Sequence, residues 1–252
     1  MNFVIITGDS KGLGESAAKR WLEDGNHILG ISRTYNEELE KVAKDNYVSY
    51  NHFECDLTDE AETNNTLASI HNLLQREEVE SLTLINNAGM VEPIERVGSL
   101  DIPTVDRHVR LNVSVPILFS NYILGLADEW EVPLTLVNIT SGAAEKTTEG
   151  WSVYSAGKAA INRFTAVTAK EQGGKGHTII AYSPGVMDTE MQEEIRSASK
   201  DSFKDVDKFR ELKESGKLTS PDRVAEVLKN LLSQEPIQNG EVYKLYDYID
   251  KY

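Results

Sequence analysis

Phe3-Val4-Ile5-Ile6-Thr7-Gly8-Asp9-Ser10-Lys11-Gly12-Leu13-Gly14 begins as an apolar run and breaks into a turn punctuated by glycine. Its apolar residues are consecutive, the pattern of a strand covered on both faces in a parallel sheet. Residues 12–25 then follow a helical spacing. Strand, glycine turn and helix in that order suit a phosphate. The glycines let the backbone turn tightly and approach an anion closely, and the helix N-terminus adds free N–H groups and partial positive charge. Gly8, Ser10, Lys11, Gly12, Leu13 and Gly14 are therefore expected to hold the pyrophosphate of a dinucleotide.

Outward from this turn, further apolar runs lie at 27–32, 48–54, 82–86, 134–139, 177–182 and 242–246. Helical stretches separate them at about 36–45, 59–77, 104–128, 151–172 and 221–233, the last opened by Pro221 after a capping Ser220. Seven strands alternating with helices predict an α/β fold, a doubly wound seven-stranded parallel sheet of Rossmann type, as a single domain over 1–252. Residues 188–217 interrupt the alternation with a highly charged helical pattern. Ligands of open α/β sheets bind beyond the carboxyl ends of the strands, so this insertion is placed to be a substrate lid. A solvated helical excursion is the alternative.

Bulk composition removes several function classes. Acidic residues outnumber basic ones 41 to 26, for a formal charge of −15, which disfavours nucleic acid and anionic membranes as general partners. The single cysteine, Cys55, permits no internal disulfide and no multi-cysteine metal site, and its neighbours Phe53 and Leu57 suggest a buried thiol. His27, His52, His71, His108 and His177 lack ligand spacing, so no metal is expected and each reads as a surface or strand residue. The first strand starts too early to leave room for a secretory leader, and no apolar run reaches the ~20 residues that cross a bilayer. A cytoplasmic protein is the expectation.

The second strand ends Gly30-Ile31-Ser32-Arg33-Thr34, without the acid that usually holds the adenosine 2′-hydroxyl of NAD. A guanidinium donates paired hydrogen bonds to a 2′-phosphate, and Lys11 adds a second cation. In so acidic a chain, Arg33 with Lys11 favours NADP(H).

Tyr154 and Lys158 stand four residues apart on a predicted helix and therefore share a face. The spacing alone arises readily by chance; its company gives it meaning. Ser141 follows the fifth strand, and Asn86-Asn87-Ala88-Gly89 closes the fourth. With the glycine turn, Asp56 after the third strand, Asn112, and Pro184-Gly185 with Thr189, these residues resemble the short-chain dehydrogenase/reductase family along essentially the whole chain. The resemblance implies Asn112, Ser141, Tyr154 and Lys158 as the catalytic set acting on a carbonyl beside a nicotinamide. Tyr154 would supply the proton, its pKa lowered by the Lys158 ammonium, which would also bind the nicotinamide ribose. Ser141 would share the substrate oxygen, and Asn112 would hold a water linking Lys158 to solvent; a capping or kink residue is the other reading of Asn112. By the same resemblance Asp56 and Leu57 meet the adenine, Asn87, Ala88 and Gly89 form a shelf beside the adenosine, and Val186 and Thr189 hold the carboxamide. A helix cap before residue 59 is the other reading of Asp56.

Ser183 to Gln192 is similar to the corresponding segment of sepiapterin reductases and of bacterial benzil reductases that form (S)-benzoin. Sepiapterin reductases anchor the pterin with an acid in the C-terminal tail, where this chain has Lys244. Lysine accepts no hydrogen bond, which counts against a pterin. By family analogy Trp151, Val91, Met187 and Met191 wall the reacting centre, and an apolar wall suits a bulky aryl ketone. The expected function is NADPH-dependent reduction of an aromatic α-diketone. The alternatives are a sepiapterin-type pterin reductase and a non-catalytic NADP(H)-sensing protein. The helices at 104–128 and 151–172 resemble those that form dimers in this family, which leaves a homodimer open.

Overall fold

The computed structural model describes residues 1–252. Its strands are β1 (Asn2–Thr7), β2 (His27–Ser32), β3 (Tyr50–Glu54), β4 (Ser81–Asn86), β5 (Leu134–Ile139), β6 (Thr178–Ser183) and β7 (Val242–Lys244). They form one parallel sheet in the order β3-β2-β1-β4-β5-β6-β7. The order reverses between β1 and β4, and Thr7, Asn86 and Asn138 stand abreast in register at the carboxyl ends of β1, β4 and β5. A crevice for a ligand opens where strand order reverses.

The helices are α1 (Gly12–Glu23), α2 (Glu37–Asp45), α3 (Glu60–Leu74), α4 (Ile102–Val109), α5 (Val115–Glu129), α6 (Ser152–Glu171), α7 (Glu190–Ser197), α8 (Val206–Glu214) and α9 (Pro221–Gln234). One face of the sheet packs on α1, α2 and α9 through residues such as Trp21, Leu39 and Leu228. The other packs on α3 and α5 through Ile70, Phe119 and Ile123. Burial on both faces is why the strands are apolar on consecutive positions. Side-chain N-caps open four of the nine α-helices, among them the expected one at Ser220. Asn36 accepts from the N–H groups of Glu38 and Leu39, Asp59 from Glu62, Asp101 from Thr104 and Ser220 from Arg223. Each such cap contributes about 1 kcal/mol.

The helix expected at 104–128 runs from Ile102 to Glu129 but contains a π-helical turn, Arg110–Ser114. Pro116 has no N–H to give the Asn112 carbonyl, so the regular ladder cannot pass unchanged through this turn. An 18-residue window of this helix has mean hydropathy 1.3, and the helix lies against the sheet as a core element. The seventh strand is shorter than expected. It ends at Lys244, where Leu245 turns fully into the core and Leu245–Asp247 forms a 3-10 turn. The third strand starts at Tyr50 because Val48 N–H still bonds the Ala43 carbonyl, closing α2. Segment 188–217 folds into α7 and α8, and its two ends are tied by Asp188 N–H to Thr219 O (3.1 Å) and Thr219 N–H to Val186 O (3.1 Å).

Candidate active site

The glycine turn leaves β1 with Gly8 at φ 73° and enters α1 at Gly12. Lys11 stands at the N-cap without a side-chain cap bond, so the first-turn N–H groups of α1, unlike those of α2, α3 and α9, meet no capping side chain. A Cβ on Gly14 would lie 2.0 Å from the Gly8 carbonyl oxygen and 2.6 Å from Asn87 Nδ2, so the turn closes only around glycine. Asn87 locks the turn from β4. Its Nδ2 donates to the Thr7 and Gly8 carbonyls at 3.0 Å each, while the Asn87 and Ala88 N–H groups reach Thr7 Oγ1 at 3.0 and 3.1 Å. Leu13 and Leu57 are buried, and the Ser10 carbonyl accepts from Asn36 Nδ2. An uncapped helix N-terminus behind a glycine cradle fits a dinucleotide phosphate.

Arg33 is exposed at the end of β2. The Asp56 carboxyl is held low by the Thr58 hydroxyl first, then the Thr58 N–H, with Arg33 and Arg107 adding positive charge. Asp56 is not the cap of α3; that role belongs to Asp59. Lys11 pairs with Glu190 at the start of α7. Both partners are more than 60% exposed, so the pair is weak and a phosphate can compete for the lysine. The sequence also left Asp9 unassigned. It is fully buried beneath the turn, accepts the Tyr50 hydroxyl at 2.6 Å, and lies 3.7 Å from His52 Nδ1.

Tyr154, Lys158, Ser141 and Asn112 converge beyond the ends of β4 and β5. Tyr154 is 7% and Lys158 6% exposed, with Lys158 Nζ 5.9 Å from the Tyr154 ring centre. Lys158 Nζ donates to the Ile139 carbonyl at 2.9 Å, and burial lowers its pKa to about 8. Burial raises the Tyr154 phenol, opposed by a hydrogen bond with Ser141. The expected lowering of Tyr154 by Lys158 is not found: desolvation raises the phenol, Ser141 alone opposes it, and the ammonium is turned to Ile139. Asn112, on the π turn, accepts from Met90 N–H (2.9 Å) and donates to the Met90 carbonyl (2.7 Å). A point one Cβ bond from Gly89 lies 2.9 Å from Asn112 Oδ1 and 3.7 Å from Lys158 Nζ, so these two atoms border one small space.

His108 departs from its expected surface or strand position. It is fully buried on α4, with Nδ1 2.6 Å from the Glu92 carbonyl and Nε2 2.8 Å from Asn112 Nδ2. Helical spacing with Asn112, four residues on, was the signal available in the sequence. Of the other four, His27 and His52 lie on strands and His71 is half-buried on α3, whereas His177 is buried just before β6, its Nδ1 accepting the Leu134 N–H.

Trp151, Val91 and Met191 gather around Tyr154, with Trp151 edge-on to it at 5.4 Å. The 188–217 segment covers this cluster: Phe203 stacks on Trp151 at 4.9 Å, Phe209 lies at 5.3 Å, and Ile195 and Val206 are buried there. Met187 goes elsewhere, packing against the core behind α1 and α9, because the Met187–Thr219 bridge holds it at the neck of the segment. Thr189 overlies Gly12, with its Cγ2 3.5 Å from a Cβ built there. Val186 N–H donates to the Tyr246 hydroxyl at 3.1 Å, so Tyr246 occupies the bond expected for a carboxamide. Lys244 pairs with Glu145 at 2.7 Å.

The short chain dehydrogenase family model matches residues 2–200. The benzil reductase ((S)-benzoin forming) of Bacillus subtilis is 37% identical, covering 99% of this chain and 100% of its own; that of Bacillus cereus is 36% identical, covering 97% and 99%. Mouse sepiapterin reductase is 30% identical over 96% of each chain. Among solved structures, a Saccharomyces cerevisiae short-chain dehydrogenase/reductase shares the fold with TM-score 0.81 at 23% identity, covering 97% of this chain and 96% of its own. A match of this extent, on a sheet whose switch point carries the glycine turn, places the chain in the short-chain dehydrogenase family, oxidoreductases that use a nicotinamide dinucleotide on small carbonyl or hydroxyl compounds.

Proposed function

We propose that the chain is an NADPH-dependent carbonyl reductase acting on an aromatic α-diketone, of the type that converts benzil to (S)-benzoin. The observation that carries this reading is Tyr154 set under an aromatic wall of Trp151, Phe203 and Phe209. The likeness to two bacterial benzil reductases over nearly the full length supports the same substrate class.

Bound NADPH would supply the hydride. The glycine turn and the start of α1 would hold its pyrophosphate, Arg33 its 2′-phosphate, and Asp56 with Leu57 its adenine. Asn87, Ala88 and Gly89 would line the adenosine side, and Val186 and Thr189 the carboxamide once Tyr246 withdraws. Tyr154 would donate its proton to the carbonyl oxygen. The raised phenol suits this direction, since the acid must be protonated before transfer. Ser141 would hold the same oxygen by hydrogen bond, and Lys158, released from Ile139, would stabilise the phenolate left behind. Segment 188–217 would act as the lid that keeps water from the wall. The groove of about 380 Å³ between α4 and α6, lined by Val97, Leu100, Val109 and Val153, would receive a second copy in a homodimer.

Two assays test this reading. NADPH oxidation with benzil is expected to exceed that with sepiapterin; preference for sepiapterin, or binding without oxidation of NADPH across a carbonyl panel, overturns it. Arg33→Ala is expected to weaken NADPH roughly tenfold or more, for about 1.5–3 kcal/mol from a charge-assisted pair, and to leave NADH nearly unchanged. Equal losses for both cofactors would remove Arg33 from the 2′-phosphate.

A further inference from the structure

The geometry points to His108 as a positioning residue that sets the orientation of the Asn112 amide toward Lys158. The inference rests on the catalytic reading of Asn112, Tyr154 and Lys158 above.

The hydrogen-bond directions are determined by what each group can give. The Glu92 carbonyl only accepts, so Nδ1 of His108 carries the proton that bonds it at 2.6 Å. Nε2 is then the acceptor, and Asn112 Nδ2 donates to it at 2.8 Å. The second Nδ2 hydrogen goes to the Met90 carbonyl at 2.7 Å. Both amide hydrogens are thereby consumed. Oδ1, already accepting from Met90 N–H, keeps a lone pair on the side it shares with Lys158 Nζ at Gly89. An acceptor there favours the ammonium; a turned amide would set N–H against it.

The arrangement needs a neutral imidazole. A proton on Nε2 would face the Nδ2 donor and push the amide away. Burial, first, and the Lys158 charge both lower the His108 pKa, against the Glu92 carbonyl, which raises it. The groups facing His108 from α6 are Lys158 and Tyr154, whose ring meets the imidazole edge-on at 6.0 Å. From the strand-end loop only the Glu92 main chain reaches it, and from its own helical run Asn112 does.

Two amides separate the two halves of the ring. Glutamine can place an acceptor where Nε2 stands; asparagine can replace the Nδ1 donor but not that acceptor. His108→Gln is expected to retain most of kcat, whereas His108→Asn falls about tenfold, the worth of one neutral hydrogen bond, with KM for NADPH unchanged in both. Met90 amide hydrogen exchange in the unliganded protein should be faster in His108→Asn than in His108→Gln, since Asn112 holds that N–H. The acid limb of kcat that accompanies protonation of His108 should be missing in His108→Gln. Equal loss of kcat in both variants, with equal Met90 exchange, overturns the inference and leaves His108 a packing residue. If the parent protein reduces no carbonyl, the catalytic reading fails separately, and the ordering of Met90 exchange still decides for or against the Asn112 contact.

Discussion

Tyr154→Phe is expected to lower kcat for carbonyl reduction by about 10³-fold while NADPH binds as before, the size of effect that loss of a placed general acid produces. The ring itself is a packing element: it is 7% exposed and meets Trp151 and His108 edge-on. Phenylalanine keeps those contacts, so the fold and the wall survive the exchange. What disappears is the one hydroxyl placed to protonate the substrate oxygen, and Ser141 alone leaves a donor without a charge partner. Removing the hydroxyl also ends the need to bury a phenol whose ionisation is opposed by desolvation. The melting temperature should therefore hold or rise slightly. Single-turnover loss of NADPH absorbance, with a fluorescence titration for binding, separates the two effects. Turnover within tenfold of the parent would refute the assignment.

Gly14→Ala should remove cofactor binding by a different route. Its Cβ would meet two main-chain atoms, Gly8 O at 2.0 Å and Gly8 C at 2.8 Å, and neither can rotate aside as a side chain can. The turn must open, and opening it also pulls at the Asn87 clamp on Thr7 and Gly8. Overpacking of this kind costs roughly 2–3 kcal/mol, which for a chain of this size lowers Tm by roughly 5–10 °C. NADPH affinity should fall by about 100-fold or more, because the N–H groups that face a phosphate no longer point together. Isothermal titration and a melting curve check both effects. An alanine variant that binds NADPH normally would show that the turn is not the phosphate cradle.

Most of the candidate site follows from residues close in sequence. The glycine turn is a local device, since strand, turn and helix are contiguous and their geometry depends on glycine at fixed places. Tyr154 and Lys158 share a face because a helix repeats every 3.6 residues. Arg33 and Asp56 lie at strand ends, and parallel strands put all such ends on one edge. His108 was misjudged because its role depends on Glu92 and Asn112, and the Glu92 contact comes from another segment. Met187 was misplaced for a similar reason: one bridge to Thr219, 32 residues later, turns it away from Tyr154.

Family resemblance supplied the candidate catalytic set, and local chemistry in the chain determined the strand–turn–helix start, the seven-stranded parallel sheet and the cap at Ser220. These depend on apolar periodicity, glycine conformation and side-chain donors, all short-range properties. The tertiary structure alone decided which charges are satisfied and which are free. It parks Lys158 on Ile139, ties Lys11 to Glu190, sets Tyr246 against Val186, and leaves the Tyr154 phenol raised. Desolvation and hydrogen-bond partners arise from segments far apart in the chain, and no spacing in the sequence encodes the distance between them.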